Sequence, residues 1–219
     1  MYIMMQKKPE IRNYLKQPAY LLYYLIMLCI AATFYGCATP PKNTKNLCDI
    51  FEEKGGWYKD AKKAYRRWGS PIPVMMAMMH RESSFKKKVK PPRTRILWIF
   101  PGPRPSTAYG YSQALETTWN IYKRETGNYG ADRDDFGDAI DFVGWYNHKS
   151  HKECGIKPDN AYALYLAYHE GQKGFSRGTY KNKAWLKKAA KEVANRASYY
   201  SGQLQGCRKR LEGPWWWPF

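Results

Sequence analysis

The chain has 219 residues, with 37 Lys/Arg against 18 Asp/Glu and a formal net charge of +19. That length bounds it to one compact domain once any targeting segment is set aside. The charge implies an anionic partner (nucleic acid, lipid headgroups or an acidic polymer) or serves solubility alone, and charge by itself does not choose among these.

The N-terminus reads as an export signal. Lys7, Lys8, Arg12 and Lys16 form a basic region, and AYLLYYLIMLCIAATFY over residues 19–35 is uncharged and apolar. Gly36 and Cys37 follow at once, giving the parts of a secretory signal over residues 1–36. The cysteine after the small residue resembles a bacterial lipoprotein box, which implies acylation at Cys37. The alternative is an uncleaved anchor near the short limit for spanning a bilayer. Either reading places the remainder outside the cytoplasm and at a membrane. Ala38 stands where such lipoproteins carry aspartate for inner-membrane retention, so the expected site is the outer membrane, facing the periplasm of a Gram-negative bacterium. Removing residues 1–36 leaves 33 Lys/Arg and 17 Asp/Glu, a net charge of +16. Export disfavours nucleic acid as the anionic partner and favours a carboxylate-bearing wall polymer or lipid headgroups.

Residues 37–55 read as a polar tether, 56–207 as the globular domain and 208–219 as an aromatic tail. Within the domain, Trp57, Ala61, Ala64, Tyr65 and Trp68 keep helical spacing, with Gly69 as a C-cap glycine. In SPIPVMMAMMHRESSFK (residues 70–86), Ser70 reads as an N-cap with Pro71 as the first helical residue. Ile72, Met75, Met76 and Met79 then share one face, which Glu82 and Ser83 extend. A carboxyl group at the end of such an apolar face loses solvation, and desolvation favours the neutral, proton-donating acid. The alternative is that the helix frays there and Glu82 reaches water or pairs with Arg81, as most glutamates are exposed.

Five prolines and seven Lys/Arg surround ILWIF in residues 86–108, which suggests a long loop or small hairpin. SQALETTWNIYKRET reads as a helix closed by Gly127, and DDFGDAIDFVGWYNHKS as the next. Asp159 is expected to cap AYALYLAYHEG. A last helix carries Trp185, Ala189, Val193, Ala197, Tyr200 and Leu204 on one stripe. The tail GPWWWPF is expected to dock on the domain or touch lipid. The pattern is mostly α, a single helical domain with one irregular, basic and aromatic insertion.

Cys48, Cys154 and Cys207 remain for an oxidising compartment. Cys48 and Cys207 flank the globular region, so their pairing would clamp its ends, although spacing does not decide connectivity. His148, His151 and Cys154 sit in an H-x-x-H-x-x-C run with no evident fourth ligand, which reads as a surface helix end. No metal or cofactor is expected. Asp132, Asp134, Asp135, Asp138 and Asp141 depart from calcium-loop spacing, and helix capping with pairing to Arg133 accounts for them better.

Three stretches stand in order: HRESSF (80–85), AYGYSQALETTW (108–119) and LAYHEG (166–171). Together they resemble the lytic transglycosylase family, whose members show Glu-Ser shortly before Phe, then Gly-Leu-Met-Gln, then Ala-Tyr-Asn-Ala-Gly. Glu82, Ser83 and Phe85 match the first, Gly110 and Gln113 the ends of the second, and Ala167, Tyr168 and Gly171 the third. Tyr111, Ser112, His169 and Glu170 replace family residues, as in a divergent branch. The resemblance implies a lysozyme-like α+β fold and cleavage of the MurNAc–GlcNAc β-1,4 bond of peptidoglycan. Under it Glu82 is the general acid and then the base, closing a 1,6-anhydro ring without water. Ser83, Gln113, Tyr168 and His169 are then substrate-side residues, with Tyr168 orienting Glu82. Trp98 offers a stacking platform and the basic insertion meets stem-peptide carboxylates, or the insertion is a solvated loop. Expected partners are glycan strands and a membrane through Cys37, not nucleic acid; protein partners are unknown. A hydrolytic muramidase needs a second carboxylate, from the aspartate cluster or Glu170. A wall-binding lipoprotein without catalysis is the third reading.

Overall fold

A computed structural model describes residues 39–96 and 100–213 of the chain. The signal segment, Cys37, Trp98 and residues 214–219 lie outside them. Within the described residues the order is α1 (Leu47–Glu53), α2 (Trp57–Trp68), α3 (Ile72–Ser83), β1 (Arg95–Ile96), β2 (Phe100–Pro101), α4 (Glu116–Thr126), α5 (Phe136–Cys154), α6 (Ala161–Ser176) and α7 (Ala184–Glu212). The fold is mostly α, as the sequence indicates. Among the described residues, the regular structure of the 86–108 insertion is β1 and β2, an antiparallel pair joining Arg95 to Pro101 and Ile96 to Phe100.

Helix α3 is the axis of the fold. Ile72, all residues from Val74 to Met79, and Ser83 are buried, so the helix is enclosed on all sides rather than along one stripe. Helices α2, α5, α6 and α7 surround it. Met75, Met76, Met78 and Met79 have no exposed surface, and each contributes about 1.5–3 kcal/mol by burial. The expected start of α3 is displaced by one residue. Pro71 is the N-cap, extended at φ −58° and ψ 137°, and Pro73 falls within the first turn, where a missing N–H costs nothing. Ser70 does not cap, because its buried hydroxyl accepts the Asn147 amide at 2.9 Å and ties the α2–α3 corner to α5.

Three further boundaries differ from expectation. The 37–55 segment is not all tether: Asn46 caps α1 by accepting from Cys48 N at 2.9 Å, and Leu47, Ile50 and Phe51 bury against the core. The N-cap of α6 is Asn160, not Asp159, since the Asn160 side chain accepts from Ala163 N at 3.0 Å. Helix α7 passes residue 207 and runs to Glu212, held there by Arg210 Nε on Glu52 (2.8 Å) and by Tyr58 and Lys62 on Glu212. Its buried stripe is Leu186, Ala189, Ala190, Val193, Ala197, Tyr200, Leu204 and Cys207, which leaves Trp185 off the stripe and 58% exposed. Cys48 of α1 is bonded to Cys207 of α7, with Cα atoms 6.0 Å apart, and Cys154 is free.

Candidate active site

Glu82 lies in the last turn of α3. The helix stops two residues later, where Ser84 N reaches His80 O at 2.8 Å. Ser84 (φ 51°) and Phe85 (φ 60°) then both adopt left-handed backbone, at a cost of about 1–3 kcal/mol each. Phe85 offsets part of that by burying its ring against Trp57 and His80, with centroids 5.9 and 5.7 Å away. The "SSF" that ends the apolar run is therefore a forced corner. It holds the last helical turn, and Glu82 with it, in one place.

Glu82 is half-buried. Burial pushes its pKa from the ordinary 4.5 up to about 7, against smaller lowering effects from a hydrogen bond with the Tyr165 phenol and from Arg81. The apolar surroundings win over the charge beside them, so Glu82 holds its proton into the neutral range. Fraying toward water does not occur.

The other two motifs converge on the same place. On α6, Tyr165 meets Glu82, and Tyr168 lies one turn further along the same face. The Tyr168 hydroxyl does not bond Glu82; it donates to Ser112 O at 2.6 Å. It therefore fixes the 108–114 loop beside the acid instead of holding the acid directly. That loop is clamped from its other side as well. Gln113, itself left-handed at φ 51°, donates through Nε2 to Val89 O (3.0 Å) and Gly110 O (2.8 Å), and Gly110 N donates to Val89 O at 3.0 Å. Gly110 has φ 78°, and a Cβ there would sit 1.9 Å from Arg133 O. Only glycine permits this approach.

The remaining expected residues fall differently. Ser83 is buried and its hydroxyl donates to Met79 O at 3.3 Å, so it can only accept from anything else. Gln113 spends its amide protons on the backbone, which leaves its carbonyl oxygen for a ligand. His169 is exposed, with Nδ1 3.2 Å from Glu170 and its ring edge-on to Trp185. Trp98 lies outside the described residues. Tyr165 is the contact that motif matching passed over. Its signal was present, since it precedes Tyr168 by three residues on one helical face.

Glu170 and the cluster residues Asp134, Asp135, Asp138 and Asp141 are occupied. Glu170 is held by both Lys183 Nζ contacts (2.7 and 2.9 Å) and by Thr179, and Lys183 leads in lowering its pKa to about 2. Asp135 caps α5, Asp138 accepts from Asn128 and Asp132 N, and Asp134 accepts from Tyr109. Asp141 gathers Tyr122, Trp68 and Arg67. Capping thus accounts for part of the cluster, but the expected pairing with Arg133 does not form. Its guanidinium donates to Thr107 O and Ala114 O, bracing the 108–114 loop. His148, His151 and Cys154 each face a different backbone carbonyl, and no group of ligands among the described residues could hold a metal ion.

A buried helix ending in a glutamic acid whose pKa burial raises, with Tyr165 and a braced loop beside it, sits in a mostly helical, lysozyme-like domain. A family model described as "Transglycosylase SLT domain" matches residues 25–207, and the chain belongs to that family. Membership implies a lytic transglycosylase whose substrate is peptidoglycan. No curated protein matches the chain.

Proposed function

We propose that the protein cleaves the MurNAc–GlcNAc β-1,4 bond of peptidoglycan without water, with Glu82 as the one acid–base group. Neutral Glu82 gives its proton to the glycosidic oxygen as the C1–O bond breaks, and becomes a carboxylate. The carboxylate then takes the proton of the MurNAc C6 hydroxyl while O6 bonds to C1. The 1,6-anhydro ring closes and the acid is regenerated. Tyr165 steadies the carboxyl in both states, Tyr168 keeps the 108–114 loop in place, and the Gln113 carbonyl is directed at an N–H or O–H of the sugar.

The observation that carries this reading is the position of Glu82 at the junction of the three motifs, where burial raises its pKa to about 7. A hydrolase would need a second free carboxylate, and Glu170 and the α5 aspartates are committed to other partners. Asp60 is also raised, by burial and by Asp135, but it belongs to the α2–α5 contact. Attachment to a membrane through an acylated Cys37, on the periplasmic side, completes the proposal.

Mass spectrometry of muropeptides released from purified sacculi tests it. Anhydro-muramyl ends are expected from the wild-type protein and none from Glu82→Gln. Reducing ends would instead mean hydrolysis, and undiminished wall binding without any release would mean a non-catalytic lipoprotein.

A further inference from the structure

We propose that Trp185, with His169 edge-on against it, is a stacking platform for a sugar ring of the glycan strand one step away from Glu82. The proposal rests on the transglycosylase reading above.

Position comes first. Tyr165 reaches Glu82 from α6, and His169 follows it by four residues. It is therefore on the same face one turn on, about 5–6 Å away between Cβ atoms. The indole of Trp185 stands 4.9 Å from the His169 ring, centroid to centroid, at an interplanar angle of 77°. It is 58% exposed, while the stripe of α7 beginning at Leu186 is buried. The ring is thus outside the core and beside the α6 face that meets the acid.

The ring is also held. At Gly171 (φ 73°, ψ 160°) α6 breaks, and the chain turns back toward the start of α7. Glu170, whose side chain is 4% exposed, receives Lys183 and Thr179 from the returning segment and faces His169 Nδ1 at 3.2 Å. One buried carboxylate therefore fixes His169 and the lysine two residues before Trp185. A surface tryptophan positioned in this way loses little freedom when a ligand covers it.

The chemistry selects the ligand. A pyranose has an apolar C–H face and a rim of hydroxyls, which suits an indole whose surroundings are polar. Lys181, Lys187 and Lys188 are exposed nearby in sequence and form no ion pair among the described residues. They are suited to the carboxylates that peptidoglycan carries beside its sugars. A single ring within a lysine rim is too small for a stable protein interface, which needs on the order of 1,000 Å².

Two measurements test the platform on the full chain. In turnover of sacculi, Trp185→Ala should raise KM roughly tenfold and leave kcat within about twofold, the mark of lost uniform binding. Trp185→Phe should restore most of the loss. In calorimetric titration with a β-1,4-linked N-acetylglucosamine oligomer, Glu82→Gln should bind, and Glu82→Gln/Trp185→Ala should bind roughly tenfold more weakly. Unchanged thermal unfolding would show that Trp185→Ala folds normally, as expected for an exposed position. If Trp185→Ala matches wild type in KM and oligomer affinity while Glu82→Gln is inactive, the platform is wrong and the transglycosylase reading stands. If Glu82→Gln still releases anhydro ends, the parent reading fails, and the oligomer titration judges the platform by itself.

Discussion

Replacing Glu82 with glutamine removes a titration as well as a catalyst, and its effect on stability follows from the burial of the carboxyl. Between its ordinary pKa of 4.5 and the folded value of about 7, the folded chain keeps a proton that the unfolded chain has released. Raising the pH through that window therefore takes stability away. The contribution is fully present below about pH 4.5 and lost above about pH 7. At about 1.36 kcal/mol per pH unit, the window is worth about 3 kcal/mol as a ceiling. Partial exposure of the side chain screens it to ~1–2 kcal/mol. Glutamine resembles the neutral acid in shape and cannot ionise, so the two proteins should be near equal in stability at about pH 4. Glu82→Gln should then become the more stable as pH rises, by roughly 3–6 °C in Tm at about pH 8 for a domain of this size. Differential scanning calorimetry of both proteins across that range reads the difference directly, and every other titrating group cancels in the subtraction. Parallel Tm–pH curves, or a glutamine variant less stable at alkaline pH, would refute the desolvated acid and the mechanism built on it.

Tyr165→Phe removes a hydrogen bond that lowers the Glu82 pKa, so the loss of sacculus turnover with rising pH should shift to higher pH, and a shift to lower pH would contradict the assigned contact. Gly110→Ala puts a Cβ against Arg133 O and should cost roughly 2–4 kcal/mol in urea unfolding, together with most activity, because the Ser112 carbonyl that Tyr168 holds belongs to the same loop; wild-type behaviour would show the loop to be irrelevant. Replacing Cys48 and Cys207 by alanine should cost roughly 2–5 kcal/mol, seen as a lower urea midpoint and as insensitivity of the double variant to reductant. A double variant with the wild-type midpoint would show that the bond does not clamp the domain.

How much of this was legible in the sequence depended on the scale of the contact. Helix existence followed from periodicity, because burial of Leu186, Val193 and Leu204 on one side of α7 is a local pattern repeated over many turns. Helix ends were less legible. Whether Ser70 caps α3 or accepts from Asn147 is settled by a partner 77 residues away, and no local rule sees that partner. The same holds for Arg133, whose expected partners were adjacent aspartates and whose actual ones are loop carbonyls. At the site, Glu82 was readable because a carboxylate ending an apolar run is a local anomaly. The division of labour between Tyr165 and Tyr168 was not, since both phenols lie on one helical face and only packing decides which meets the acid. Glu170 was readable as a carboxylate but not as one neutralised by Lys183 across the Gly171 bend.

On the proposed mechanism, the environment that makes Glu82 an acid also makes it a base. Desolvation raises its pKa to about 7, so a protonated fraction able to supply the proton for bond cleavage is present before substrate arrives. Once that proton leaves, the same surroundings oppose the carboxylate, and the group recovers its proton from the nearest hydroxyl that can supply one. A single residue thus drives both halves, and the cost of burying it is met by the scaffold. The all-round burial of α3 and the Phe85 anchor hold the corner that keeps Glu82 from swinging to water. Glu170 shows the contrast. Paired with Lys183 and ionised down to about pH 2, it has no proton to give at neutral pH, and its charge is already answered. Glu170 is ionised, as the nucleophile of a retaining hydrolase would be, but Lys183, Thr179 and His169 already occupy its oxygens, and on the proposed mechanism the intramolecular hydroxyl of the sugar is the nucleophile instead.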